Sequence, residues 1–275
     1  MNTTENEALL PKEERLKRCL AQYGSLGVAF SGGVDSTLLL AAAQRVLGQR
    51  VVAFTGVSEL HPSGEKEQAI EMTRHLGVRH LLFDTRELVD PRFTANPAER
   101  CYHCKIGLFS TMRREAEALG ITTLAHGANV DDLSDFRPGF EAAKEMGIVA
   151  PLIEAGLHKA DIRQLARRMG LPNWQRPAMA CLASRIPYGV PIDKPLLAKI
   201  DQAENALRRL GIEHCRVRHH GSLVRIEVDP AKVSRLAETD LRAQVVTALR
   251  GLGYAHVCLD LEGYVTGKMN RDLKT

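Results

Sequence analysis

Six consecutive residues, Ser31-Gly32-Gly33-Val34-Asp35-Ser36, place two glycines, two hydroxyls and a carboxylate on one short stretch. Glycine lets a backbone turn sharply and come close to a ligand. Residues 26–30 before them read as a short buried strand, and residues 37–47 after them, rich in Leu and Ala, as a helix. The first N–H groups of a helix have no internal partners and its dipole favours an anion, so this turn is built to cradle phosphate, with Ser31 and Ser36 adding hydroxyl donors. A carboxylate beside phosphate is repelled unless a cation lies between them, which makes Asp35 a Mg²⁺ ligand. Ordinary capping needs neither the glycine pair nor the serine pair. The spacing is not that of the G-x-x-x-x-G-K-[ST] loop.

Four other stretches carry chemistry. Gly127, Asn129, Asp131, Asp132, Asp135 and Arg137 follow one another closely. Asp132 could share a Mg²⁺ ion with Asp35, and Arg137 could clamp a phosphate or pair with a neighbouring aspartate; a solvated acidic loop is the plainer reading. Cys101 and Cys104 form a C-x-x-C around Tyr102 and His103 at the start of a helix expected over 104–119, a spacing compatible with a redox pair, half a zinc site or part of an iron–sulfur site. Cys181 lies in a long proline-rich loop between Arg176 and Arg185, which would favour its thiolate. Arg216 and Arg218, two apart on a strand, share a face and could bind one anion or pair across strands with Glu227. Cys19, Cys215 and Cys258 sit inside regular elements and read as structural thiols.

The elements that must position these residues alternate. Strands are expected at 26–30, 50–57, 80–84, 121–126 and 147–152, with helices at 12–23, 37–47, 65–76, 104–119 and 158–169. That order predicts an α/β fold, a parallel sheet with helices on both faces, whose ligands bind at the carboxyl ends of the strands. The phosphate turn, Ser58, the 84–105 segment and the 126–139 segment all fall there. Residues 173–195 have no periodicity. Beyond them a helix (195–210), a hairpin (214–229), a broken helix (230–252) and a last strand (254–261) predict a small α+β domain. The boundary is expected near 186, giving domains 1–186 and 187–275.

The chain has 275 residues, 44% of them hydrophobic and 25% charged, with a formal net charge of +4. A balance that mild suits an anionic small molecule and does not point to nucleic acid, which shows as a clustered basic face. No run of about 18 apolar residues suggests a membrane span. The polar first residues lack the apolar core of a signal peptide, so a cytoplasmic protein is expected, where cysteines serve catalysis or metals more often than disulfides.

The SGGVDS turn at 31–36 resembles the loop of the PP-loop ATP pyrophosphatases, which cleave ATP to AMP and pyrophosphate and adenylate a substrate. Together with RCYHCK at 100–105, NVDDLSDFRPG at 129–139, ACLASRIPYG at 180–189 and RVR at 216–218, it makes essentially the whole chain similar to the LarE family, the ATP-dependent sulfur transferases of nickel-pincer nucleotide synthesis. The resemblance implies ATP and Mg²⁺, with Ser31, Gly32, Gly33, Asp35, Ser36, Ser58, Gly127 and Arg137 around the nucleotide and Asp35 and Asp132 at the metal. It implies a small-molecule nucleotide substrate, pyridinium-3,5-biscarboxylic acid mononucleotide, whose phosphate meets Arg216 and Arg218, with Ser184 and Arg185 beside it. It also implies a homo-oligomer, in transient contact with other enzymes of the same cofactor synthesis.

The sulfur source divides the family. Some members spend one cysteine, matching Cys181, and keep dehydroalanine; they lack the C-x-x-C. This chain has Cys101, Cys104 and Cys181, like members that hold a [4Fe–4S] cluster by three ligands and transfer an extra sulfide. A thiolate tied to iron is poorly suited to destruction at each turnover, so the cluster variant is favoured over the sacrificial one. Rival readings are a tRNA-thiolating enzyme, an amide-forming synthetase, or a non-catalytic metal- or redox-sensing protein that kept an ATP-binding fold.

Overall fold

A computed structural model describes residues 3–134, 138–177, 180–265, 268 and 271. In chain order the elements are α1 (Thr3–Ala21), β1 (Leu26–Ala29), α2 (Val34–Leu47), β2 (Val51–Val57), α3 (Glu65–His75), β3 (Arg79–Asp84), α4 (Pro91–Thr94), α5 (Arg100–Glu117), β4 (Thr123–His126), α6 (Pro138–Glu145), α7 (Pro151–Glu154), α8 (Lys159–Arg168), α9 (Lys194–Arg209), β5 (Cys215–His220), β6 (Leu223–Val228), α10 (Val233–Ala237), α11 (Thr239–Gly251) and β7 (His256–Leu259). Asp135 and Arg137 lie outside the described residues. No described helix is long and apolar enough to cross a membrane.

The described residues divide into two compact units, one within Met1–Ser58, Gly64–Glu87 and Glu99–Met179, the other within Glu59–Ser63, Leu88–Ala98 and Ala180–Thr275. The first holds a four-stranded sheet in the order β3-β2-β1-β4, every pair parallel. β2 shows why. Its side chains alternate between two apolar layers, as a strand's must. Val51 and Ala53 pack with α1, α2, α3 and α8, through Leu16, Leu39, Met72 and Leu165 among others. Val52 and Phe54 pack with α5 and α6, through Phe109, Met112 and Ala143. A strand covered on both faces reads as a continuous apolar run and belongs in a parallel sheet.

Two local expectations change. Residues 147–152 do not form a fifth strand: Val149 makes a single bridge to Ala125, and Pro151, lacking an N–H, opens the short α7. The helix expected from 104 begins at Arg100, so Cys101 and Cys104 both stand within its first turns.

In the second unit β5 and β6 pair antiparallel, Cys215 opposite Val228, and β6 pairs parallel with β7. Ala203, Leu207, Val217, Val224, Ile226, Leu249 and Tyr254 fill the layer between this sheet and α9–α11. Side-chain bonds explain why two distant segments join it. Asn96 Nδ2 donates to Pro187 O and Val190 O at 2.7 Å, and Ser63 N–H donates to Asp201 Oδ1 at 3.1 Å. Leu182 N–H donates to Leu60 O at 2.7 Å.

Candidate functional site

In the first unit three segments meet the carboxyl edge of the parallel sheet: residues 31–36 after β1, Ser58 after β2, and Gly127 after β4. Gly33 caps α2 without a side-chain bond, leaving the helix N–H groups for a ligand. Ser36 Oγ donates to Gly33 O at 3.1 Å and lies 3.3 Å from Ser31 Oγ, so the two hydroxyls converge across the turn. Asn173 Nδ2 holds the turn from beneath, donating to Gly32 O and Thr37 Oγ1, each at 2.9 Å. A Cβ on Gly127 would stand 2.8 Å from Ser36 N, so only glycine lets the chain after β4 pass this close.

Asp35 has two companions. Lys159 Nζ lies 2.5 Å from its Oδ2, and Asn129 Nδ2 donates to its Oδ1 at 3.5 Å. Asn129 opens a turn closed by Asp132, whose Oδ2 accepts from Asn129 N–H at 2.9 Å. Asp131 faces the start of α8 instead: Oδ1 lies 2.6 Å from His158 Nδ1 and Oδ2 accepts from Lys159 N–H at 2.8 Å. Those bonds, the histidine's first, hold Asp131 below the usual carboxylate range. Asp131 thereby anchors the residue that delivers an ammonium to the phosphate turn. Among the described residues no three His, Cys, Asp or Glu side chains form a metal-holding group. Mg²⁺ needs only one or two carboxylates when phosphate oxygens and water complete its shell, and the hard oxygens of Asp35 and Asp132 suit it.

Cys101 is exposed and Cys104 half-buried, three residues apart on α5 and so on one helical face. Cys104 Sγ lies 3.8 Å from the buried Glu87 Oε1. Near a helix N-terminus the dipole favours thiolates, which are the form that binds metal. Cys181, half-buried, belongs to the second unit. None of the six cysteines forms a disulfide. Burial pushes the Cys215 thiol up to about 12, and burial followed by Glu154 pushes Cys19 to about 11, as expected of inert thiols. Cys258 is exposed on β7.

In the second unit the Cys181 segment is built on an arginine. Arg185 is 1% exposed, and its Nη1 donates to Cys181 O at 2.9 Å and to Ser184 Oγ at 3.1 Å, while Nε and Nη2 grip Glu204. Ser184 Oγ donates to Cys181 O at 2.8 Å. All three side-chain nitrogens of Arg185 bond within the protein, as a fully buried guanidinium's donors must. Burial alone would raise the Glu204 carboxyl; the adjoining Arg185 charge holds it below the ordinary range. Arg218 combines two roles, donating to Ser184 O at 2.8 Å and to Glu227 Oε2 at 2.6 Å. Arg216, directly opposite Glu227 in the strand register, donates to Cys215 O at 3.0 Å. Burial, then the like charge of Arg185, lowers its pKa.

Lys159 and Asn173 escaped the sequence reading. Lys159 left one signal: a lysine in the first turn of a helix opposes the dipole and needs a local carboxylate. Asn173 left none, since nothing local connects it to Gly32.

A family model described as asparagine synthase matches residues 13–99. The chain is 42% identical to an uncharacterized protein of Synechocystis sp., over 95% of this chain and 98% of that one. It is 35% identical to the pyridinium-3,5-bisthiocarboxylic acid mononucleotide synthase of Lactiplantibacillus plantarum, over 96% of each chain. An uncharacterized protein of Methanocaldococcus jannaschii is 26% identical over 86% of this chain and 89% of its own length.

Proposed function

The chain belongs to the LarE family, that of the Lactiplantibacillus plantarum pyridinium-3,5-bisthiocarboxylic acid mononucleotide synthase, and on that ground we propose that it is an ATP-dependent sulfurtransferase acting on pyridinium-3,5-biscarboxylic acid mononucleotide. One observation carries the reading: the match spans 96% of both chains, so the phosphate turn, the C-x-x-C, Cys181 and the arginine pair all fall inside it.

The proposed reaction has two halves. A ring carboxylate attacks the α-phosphate of ATP, pyrophosphate leaves, and an acyl-adenylate remains. A sulfur nucleophile then adds to the activated carbonyl and AMP leaves, giving the thiocarboxylate. In the first half the N–H groups and hydroxyls of residues 31–36 receive the departing pyrophosphate. Preorganised donors aimed at developing charge are the strongest device available for such a step. Lys159 adds a positive charge beside the turn, and Asp35 and Asp132 would hold Mg²⁺, which neutralises phosphate oxygens when bound. Ser58 and Arg137 complete the proposed nucleotide site. In the second unit Arg216 and Arg218 hold the substrate phosphate, Ser184 lies beside it, and Arg185 positions the segment bearing Cys181.

For the sulfur source the reading favours Cys101, Cys104 and Cys181 as ligands of a [4Fe–4S] cluster, which would supply a transferable sulfide. Two thiols on one face at a helix N-terminus support it. The alternative, Cys181 as a sacrificial donor, uses neither of the other two. The same reading makes the protein a cytoplasmic homo-oligomer that passes its product to other enzymes of nickel-pincer cofactor synthesis.

Anaerobic purification, iron analysis and intact mass after turnover test this. Pyrophosphate release should require the dicarboxylated mononucleotide, and its absence with that substrate overturns the reading. Iron-dependent transfer with unchanged protein mass supports the cluster; a loss of about 34 Da at Cys181 establishes the sacrificial route instead.

A further inference from the structure

We propose that Tyr264 is a positioning residue for the substrate-phosphate arginine: its ring, carried on a strap pinned to β6, lies against the Arg216 guanidinium and limits the directions in which Arg216 presents its donors. The proposal rests on the reading that Arg216 holds the phosphate.

The Arg216 Cζ lies 5.2 Å from the centre of the Tyr264 ring, within the range where a guanidinium is attracted to an aromatic face. A guanidinium is flat and all its N–H donors lie in its plane. A guanidinium held beside a ring keeps N–H donors directed away from it, and two such donors match a phosphate in bidentate fashion. The carboxylate that the strand register sets opposite Arg216 is Glu227. Glu227 already accepts from Arg218 at 2.6 Å and Arg225 at 3.3 Å. The π face of Tyr264 supplies negative potential to Arg216. Burial, then the like charge of Arg185, lowers the Arg216 pKa, and Glu204 opposes them.

The tyrosine is placed by backbone. Its N–H donates to Val228 O at 2.7 Å, continuing from the Asp260 N–H bond to Ile226 O at 2.9 Å. Between them Gly263 has φ +70°, and a Cβ there would stand 2.6 Å from Val228 O and 3.0 Å from Pro230 N. Only glycine lets the strap lie so close to the end of β6. Lys268 closes the turn, with Nζ 2.6 Å from Asp260 Oδ1 and 3.4 Å from Gly263 O. A strap tied at both ends fixes the backbone that carries the ring, which is the preorganisation positioning requires.

The test uses full-length protein and two probes, nicotinic acid mononucleotide and its riboside without phosphate, followed by calorimetry. Tyr264→Leu should weaken mononucleotide binding about five- to tenfold, Tyr264→Phe by less than about twofold, and neither should alter binding of the riboside. In turnover, Tyr264→Leu should raise KM for the mononucleotide substrate while kcat and KM for ATP stay put. If Tyr264→Leu unfolds, Lys268→Met, which loosens the strap, should give the same phosphate-selective loss. Wild-type binding in that variant, or equal losses with mononucleotide and riboside, overturns the proposal. Arg216→Ala separates the two readings. If it leaves mononucleotide binding intact, the arginine clamp itself is wrong; if it abolishes the phosphate preference while the strap variants keep it, only the role of Tyr264 falls.

Discussion

Arg185 and Glu204 meet fork to fork, Nε 2.8 Å from Oε1 and Nη2 3.0 Å from Oε2, with side chains 1% and 0% exposed. The pair joins the loop bearing Cys181 to α9, and Glu204 Oε1 also accepts from Val217 N–H on β5 at 3.1 Å. One carboxylate therefore ties the cysteine segment to the strand that carries Arg216 and Arg218. Removing one partner of a buried pair leaves an uncompensated charge, whereas replacing both need not.

Glu204→Ala should accordingly lower stability by about 3–5 kcal/mol in urea unfolding. The double replacement Arg185→Met with Glu204→Leu should recover most of that loss. Sulfur transfer should stay impaired in the double variant, because the bonds from Arg185 to Cys181 O and Ser184 Oγ are gone. Full activity in a folded double variant would remove Arg185 from the positioning role.

Lys159→Met should reduce substrate-dependent pyrophosphate release by about 100-fold, the size associated with losing one preorganised donor to developing charge. The pair with Asp35 is partly exposed, side chains 30% and 23%, so unfolding free energy should change by less than about 1 kcal/mol. A variant with normal pyrophosphate release would leave Lys159 as a plain surface partner of Asp35.

At Gly127 a single methyl group tests the phosphate turn. Gly127→Ala places a Cβ 2.8 Å from Ser36 N, so the turn or β4 must move. KM for ATP should rise about tenfold or more, since small misplacements at a reacting centre are costly. The mononucleotide's own affinity should stay unchanged; equal losses for both ligands would mean general unfolding.

His126 gives the protein an acid-side slope. Burial, followed by the Lys105 charge, depresses its pKa from 6.5 to about 4. Its ring sits between Phe109 at 6.2 Å and Phe140 at 6.0 Å. Below pH 6.5 the unfolded chain takes up a proton that the folded chain refuses, so stability falls as pH drops to about 4 and levels beneath it. The full contribution is about 3 kcal/mol at 1.36 kcal/mol per unit. Urea midpoints of His126→Leu should decline less than those of the unaltered protein across this window, and parallel declines would refute the assignment.

The phosphate turn, the alternating strands and helices, and the small second sheet were legible because each is written in local chemistry. Adjacent glycines and hydroxyls, two-residue and helical apolar periods, and a proline-rich interruption need no knowledge of distant partners. The cysteine pair was legible as a C-x-x-C, but its shared helical face was not: the helix expected from 104 begins at Arg100 and takes in both thiols. The fifth strand failed locally as well: Pro151 argued against it from the start.

The sequence by itself thus determined what kind of chemistry the chain carries and on which turns, loops and strands its groups ride. Only the tertiary structure decided which of those groups meet one another and which are buried. Arg185 carries no local sign of its buried partner, yet its charge meets Glu204 nineteen residues on. Lys159 drew no reading from the sequence, yet it meets Asp35 across 124 positions of chain. The reason is physical: a residue's type sets its charge and donors, but their free energy depends on burial and on partners far along the chain, which folding alone brings within reach.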